Sequence, residues 1–174
     1  MLAGVVAFDR ETDFRRLDYH LMMRGPVRLV HSRTLLNTTV EWLRQHDYEV
    51  VLVDASWLIV SHMFRDLGSA LGYTCHDQWH CLRDGLGEAL VETWSRSAGF
   101  ALVLTGFDVF ERHQRDDAYA LLELVVHQAW PAALLGQRLI CLVQSDKRSL
   151  SLRRIGMPTL PWVDNDPDSV VARS

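Results

Sequence analysis

The run YEVVLVD, residues 48–54, decides the fold class of this chain. It is rich in Val and lacks the alternation of apolar and polar residues that marks a strand with one face in solvent. The runs FALVLT (100–105) and RLICLV (138–143) have the same character, and VRLVH (27–31) is a weaker fourth candidate. Such runs are typical of strands buried on both faces, as in a parallel sheet.

Helical patterns occupy the sequence between these strands. Apolar residues recur at helical spacing in four segments, 33–46, 57–71, 77–94 and 115–134. The resulting order β-α-β-α-α-β-α-β predicts an α/β fold with parallel strands joined by helical crossovers. We therefore expect three layers, with a parallel sheet of three to four strands covered by helices.

The composition is that of an ordinary globular protein, with 174 residues of which 48% are hydrophobic and 23% charged. This length fits one domain with tails, which we divide into an N-terminal extension (1–24), an α/β domain (25–146) and a C-terminal tail (147–174). No apolar run approaches the ~18 residues of a membrane span. The opening MLAGVVAFDRE does not resemble a secretory signal, and three cysteines are an odd number for a disulfide framework. These features predict a cytoplasmic protein without membrane contact.

The charge is unevenly distributed along the chain. The net charge is -4, although Lys147, Arg148, Arg153 and Arg154 place four positive charges in residues 147–154. The rest of the chain is therefore strongly acidic. An acidic body disfavours direct nucleic-acid binding and suits a cationic protein partner.

The stretch CHDQWHCLRD, residues 75–84, contains two histidines, two cysteines and two aspartates around one tryptophan. On a helix over 77–94, one side carries the apolar residues Trp79, Leu82, Leu86, Leu90 and Trp94. The opposite side carries what we call the polar stripe, Asp77, His80, Asp84 and Glu88. The stripe faces solvent in this arrangement, so a partner protein can contact it.

Residues 49–144 resemble the barstar family of intracellular ribonuclease inhibitors. The family has a strand, a helix, an exposed acidic helix with the pattern Asn, Trp, Asp, Ala, Leu, any residue, Asp, Cys, Leu, and then a strand, a helix and a last strand. Here the register is Gln78, Trp79, His80, Cys81, Leu82, Arg83, Asp84, Gly85, Leu86. Gln78 stands where the family has Asn, Cys81 where it has Ala, and His80 where it has the first Asp.

The resemblance implies a protein without cofactor and without enzymatic activity that binds a ribonuclease, or a related toxin nuclease, through its acidic helix. The expected roles are Asp84 as the main anion, Asp77 and Glu88 as flanking charges and His80 as a modified contact. His76 and Thr74, in the loop before the helix, are further candidates.

Other interpretations of these residues stay open. The polar stripe is alternatively an ordinary solvated helix face, and the chain alternatively a protein-binding module of the same fold without ribonuclease inhibition. His76, His80 and Asp84 have the spacing of metal ligands on a helix, but no second cluster completes a strong zinc motif, so no metal is predicted.

Two further aspartates keep an enzyme among the alternatives. Asp54 and Asp108 each follow a predicted strand, where they either cap the next helix or hold Mg²⁺ in a small enzyme. No phosphate-binding loop is present in the sequence, and Gly85 and Gly87 lack the context of a dinucleotide fingerprint.

Overall fold

The computed structural model describes residues 7–58, 61–76, 78–148 and 150. Its centre is a sheet of four parallel strands in the order β1-β4-β3-β2. The strands are β1 (Val27–Val30), β2 (Tyr48–Asp54), β3 (Gly99–Thr105) and β4 (Leu139–Gln144). The four predicted strands and the α/β class with its parallel sheet are therefore confirmed.

The register of the sheet explains the continuous apolar runs. β3 and β4 are the central strands, joined by pairs such as Phe100↔Leu139 and Leu102↔Cys141. The interior of β3 and all of β4 are buried, because helices cover both faces of the sheet. β2 and β1 are the outer strands, and Leu52 in β2 is exposed.

Seven helices surround the sheet among the described residues. They are α1 (Arg10–Asp13), α2 (Leu17–Met22), α3 (Arg33–Gln45), α4 (Met63–Ala70), α5 (Trp79–Trp94), α6 (Phe107–His113) and α7 (Arg115–Leu134). The predicted helices over 33–46 and 115–134 are confirmed to within one residue.

Two predicted helix boundaries are wrong, and α6 lies outside all the predicted helices. α4 begins at Met63 rather than at residue 57, because a short 3₁₀ turn over Ala55–Trp57 follows β2 first. α5 begins at Trp79 rather than at residue 77, because Gln78 has an extended backbone.

The two faces of the sheet carry separate apolar clusters, so the molecule has three layers. On one face, α2 and α3 pack through Leu21, Leu36 and Leu43 against the strands. On the other face, α4 to α7 pack through side chains that include Leu86 and Leu122. Among the described helices, none is both long and apolar enough to cross a membrane.

A buried carboxylate joins α2 to the sheet. The Asp18 side chain accepts hydrogen bonds from Arg16 (Nη2–Oδ2 2.8 Å), from the Tyr48 hydroxyl (2.7 Å) and from Arg138 (Nη1–Oδ2 3.3 Å). Burial alone would raise the pKa of Asp18, but these hydrogen bonds and the two guanidinium charges outweigh burial and hold the pKa below its ordinary value. Part of the predicted N-terminal extension is thus packed firmly against the domain.

Candidate functional site

Helix α5 presents the residues to which the sequence drew attention. Its inner face buries Leu82, Leu86 and Leu90 against the sheet layer. Gly85 allows α5 to approach the preceding loop closely, because a Cβ there would lie 2.9 Å from the Tyr73 ring. The helix is therefore fixed in position and presents its other side to solvent.

The structure places three members of the polar stripe, His80, Asp84 and Glu88, on the exposed side of α5. Thr74 and His76 are exposed in the loop before it, whereas the fourth member, Asp77, lies outside the described residues. The stripe is not uniformly available, because Arg83 donates to Asp84 through Nε (3.1 Å) and Nη2 (3.0 Å). A cation from a partner would have to compete with Arg83 for Asp84.

Three tryptophans are exposed, and one of them, Trp94, belongs to the predicted apolar side of the helix over 77–94. Trp94 is 49% exposed, Trp130 69% and Trp57 77%. Trp130 faces away from the sheet because Ala129 and Ala132 occupy the buried side of α7, and Trp57 lies in the turn after the outer strand β2. Apolar character alone did not reveal which side of each segment these rings occupy.

An open groove of about 630 Å³ runs between α5 and α7, and we call it the α5–α7 groove. Its α5 side includes Asp84, Glu88, Val91 and Glu92, and its α7 side includes Pro131 and Leu135. The Gln128 amide donates to the Arg83 carbonyl across the two helices at 3.3 Å. The groove thus lies between two helices in direct contact, and it was not predicted from the sequence.

The α5 side of the groove is acidic. Asp84, Glu88 and Glu92 follow one another at four-residue spacing, which separates them by ~6 Å along a helix. No Lys, Arg or His occurs among the described lining residues. The charge of Glu88 contributes most to the raised pKa of Tyr73, which also lines the groove. Asp84 is paired with Arg83, whereas the Glu88 and Glu92 carboxylates have no ion pair within the described residues, so a cation would be attracted to these two.

The two helices also carry much of the exposed apolar surface of the described residues. Of the nine large apolar side chains that are exposed, five lie on α5, on α7 or directly after α7. They are Val91, Trp94, Trp130, Leu134 and Leu135. Exposed apolar side chains concentrated beside a charged border are typical of protein-binding surfaces.

The carboxyl ends of the strands, where ligands bind in open α/β sheets, are joined by internal hydrogen bonds. The Gly106 N–H donates to Gln144 (2.9 Å), whose amide donates to Asp146 (2.7 Å). The carboxylate of Asp108 lies 3.5 Å from Arg112, and Asp54 caps the turn that follows it through the Ser56 N–H (3.0 Å). Asp54 therefore has the capping role that was one of its two predicted alternatives.

The connection from β1 to α3 consists of His31 and Ser32. The Ser32 hydroxyl oxygen accepts a hydrogen bond from the Leu35 N–H at 3.2 Å, and a ring nitrogen of His31 lies 3.0 Å from the Ser145 carbonyl oxygen.

Within the described residues, no three His, Cys, Asp or Glu side chains are grouped so that they could hold a metal ion.

No family model matches this chain, and no curated protein matches it. The chain is similar to several solved structures, two of which are described here. One is a chain of the Drosophila ORC bound to DNA, 16% identical with a TM-score of 0.50, where the match covers 99% of this chain and 49% of that one. The other is a Walker-type ATPase of Pyrococcus abyssi, 14% identical with a TM-score of 0.50, where the match covers 95% of this chain and 57% of that one.

These likenesses correct two expectations. The predicted function as a ribonuclease inhibitor is contradicted, because the similar structures are an ORC chain and an ATPase rather than inhibitors. The expectation that the chain is not an enzyme is contradicted by the Walker-type ATPase among them. At these identities the likeness shows the fold alone, and this chain spans only about half the length of each. The resemblance to the barstar family stays a prediction.

Proposed function

We propose that this chain binds a partner protein whose surface is basic and partly apolar, and that it does so through the α5–α7 groove and the exposed side of α5. The observation that supports this function is the combination of three carboxylates with apolar side chains along one open groove. The two kinds of surface call for a partner with complementary charge and with apolar side chains of its own.

The apolar side chains would supply most of the binding free energy. Full burial of a side chain such as Val or Leu is worth about 1.5–3 kcal/mol, and Val91 and Leu135 are both exposed on the groove. The carboxylates would mainly raise the association rate and select basic partners, which is the usual effect of complementary charge. The strength of binding would therefore depend on Val91 and Leu135, and its salt dependence on the acidic side.

Within this proposal, the carboxylates of the site have unequal roles. Glu88 and Glu92 have no ion pair within the described part of the chain, whereas Asp84 is held by Arg83 at 3.0 Å. Glu88 and Glu92 would therefore meet the partner's cations first. His80, Thr74 and His76 would contact the partner beyond the N-terminal end of the groove, and Asp77 stays a prediction.

A photo-crosslinking amino acid at position 91 tests the proposal, with the same group at Asn37 on α3 as the matched control. The expected result is a basic protein crosslinked from position 91 and not from position 37. The double change Glu88→Lys and Glu92→Lys should abolish the crosslink, and Glu41→Lys, an exposed charge reversal on α3, should not. Equal crosslinking from both positions, or insensitivity to the double change, would contradict the proposal.

A second candidate is nucleotide hydrolysis at the carboxyl ends of the strands, which the likeness to the Walker-type ATPase favours. The residues available there are Asp54 and Asp108, which end or follow neighbouring strands. Its test is ATP hydrolysis by repurified protein in Mg²⁺, compared with Asp108→Asn and with the control Asp84→Asn on α5. Activity lost only in the Asp108 variant would support this candidate, and equal activity in all three proteins would count against it.

A further inference from the structure

The two sides of the α5–α7 groove differ in chemistry along their length. On α5, Asp84, Glu88 and Glu92 recur every ~6 Å. The α7 side of the lining includes Pro131 and Leu135. Their neighbours in the sequence, Trp130 and Leu134, have exposed side chains. Val91, between Glu88 and Glu92 on α5, is exposed as well, so a ligand that matches this groove carries basic groups on one edge and apolar groups on the adjoining edge.

The backbone of the groove walls limits what can lie there. Both walls are α-helices, and the N–H and C=O groups within a helix bond to one another. An extended peptide would find no free backbone groups along these helical walls, so the groove offers it none of the main-chain hydrogen bonds that an extended peptide gains at a sheet edge. A helical peptide already pairs its backbone internally and presents side chains alone.

The spacing of the carboxylates matches such a helix. Side chains four residues apart on a partner helix are separated by the same ~6 Å as those on α5. A volume of about 630 Å³ lies in the range of cavities that enclose small ligands, so it would take side chains from one helix face rather than a whole helix.

We infer that the partner segment is an amphipathic helix with Lys or Arg at every fourth position along one edge and with apolar residues along the adjoining edge. The basic edge lies along Glu88 and Glu92, and the apolar edge lies against Val91, Pro131 and Leu135. This inference rests on the proposed protein-binding function, because it specifies the segment that occupies the same groove.

Two designed peptides of about 18 residues, or about five helical turns, test the inference with the full chain. Both contain the same Lys, Leu and Ala residues. The ordered peptide places Lys at every fourth position beside a strip of Leu, and the shuffled peptide distributes Lys around the helix. We expect the ordered peptide to bind at least tenfold more tightly in fluorescence anisotropy titrations. Proline at its centre should remove that advantage, because proline breaks a helix.

Variants of the chain locate the binding. Val91→Asp should weaken binding of the ordered peptide at least tenfold, Glu88→Lys should slow its association and reduce the salt dependence of its binding, and Glu41→Lys should leave both unchanged. The helical inference is overturned if the parent chain binds both peptides with equal affinity, or if proline does not weaken the ordered peptide. In that case the proposed function survives as long as Val91→Asp weakens the binding of both peptides.

The inference is also overturned if the ordered peptide binds equally to the parent and Val91→Asp chains. Failure of the crosslink at position 91 overturns the proposed function itself.

Discussion

Replacing Asp18 by Asn removes the buried negative charge that faces Arg16 and Arg138 while it keeps the size of the side chain. The Asp18 side chain is 0% exposed, so its guanidinium partners would lose a counter-charge that water cannot replace fully. Removal of one partner from a buried ion pair costs about 3–5 kcal/mol. We expect the lower end, about 3 kcal/mol, because the Arg16 side chain is 34% exposed and solvent screens part of its charge.

A loss of about 3 kcal/mol is a large share of the about 5–15 kcal/mol that stabilises a typical protein, and it lowers Tm by about 6–12 °C in a chain of this size. Chemical denaturation and thermal unfolding at pH 7, both followed by circular dichroism, measure the two quantities. The matched control is Asp13→Asn, whose contacts to Arg16 (3.9 Å) and Arg138 (3.7 Å) are longer. The control should lose less than about 1 kcal/mol.

The same variant has a pH signature. The pKa of Asp18 is lower in the folded chain than its ordinary value of 3.8, so the stabilisation is fully present above that value and is lost as pH falls through the folded pKa. Parent and Asp18→Asn stabilities should therefore differ at pH 7 and converge in acid. A loss below about 1 kcal/mol at pH 7, or a difference that persists unchanged to the lowest pH, would refute this reasoning.

Three further outcomes are expected. Gly99→Ala should destabilise the chain by about 1–3 kcal/mol in urea unfolding, since its Cβ would lie 2.5 Å from the Tyr48 ring; an unchanged midpoint would show that the ring can move away. Asp84→Ala should change the free energy of unfolding by no more than ~0.5 kcal/mol while it weakens binding of the ordered peptide, and the reverse result would make Asp84 a structural residue. Burial raises the pKa of the Cys141 thiol, so an alkylating agent should modify Cys81 before Cys141 in the native chain, as measured by mass spectrometry. Equal rates of modification would contradict the burial of Cys141.

The two central strands were predictable because a strand buried on both faces requires an uninterrupted apolar run, and 100–105 and 138–143 each contain one. The run 48–54 also predicted a strand correctly, but its expected burial on both faces is wrong, because β2 lies at the edge of the sheet and only Tyr48 and Val53 in it are buried. The helix α6 was not predictable, since Phe107–His113 follows β3 almost directly and is too short to establish a helical period. The exposure of Trp94 was not predicted for a different reason: a tryptophan at a helical position has the same sequence pattern whether another helix covers it or not.

The candidate groove depends on a contact that sequence does not encode locally. Glu88 and Pro131 are more than 40 residues apart, and only the packing of α5 against α7 brings them to one surface. A signal was available in part, because Trp130 and Leu134 form an apolar pair four residues apart beside the alanines that fill the buried side of α7. The polar stripe could be predicted because its members lie on a single helix. The α7 side of the groove could not, because only the folded structure shows that α7 lies beside α5.

The strand order β1-β4-β3-β2 has a consequence for how the chain folds as it leaves the ribosome. Val27 in β1 pairs with Cys141 in β4, so about 110 residues of synthesis separate the two sides of that ladder. At a synthesis rate of about 5–20 residues per second, β4 is completed roughly 5 to 20 seconds after β1. Meanwhile β2 and β3 can pair as soon as residue 105 has emerged, which leaves the inner edge of β3 exposed until β4 inserts between β3 and β1. A nascent chain stalled before residue 139 would therefore expose the unpaired N–H and C=O groups along the inner edge of β3, and such an edge can pair with a strand of another chain and lead to aggregation.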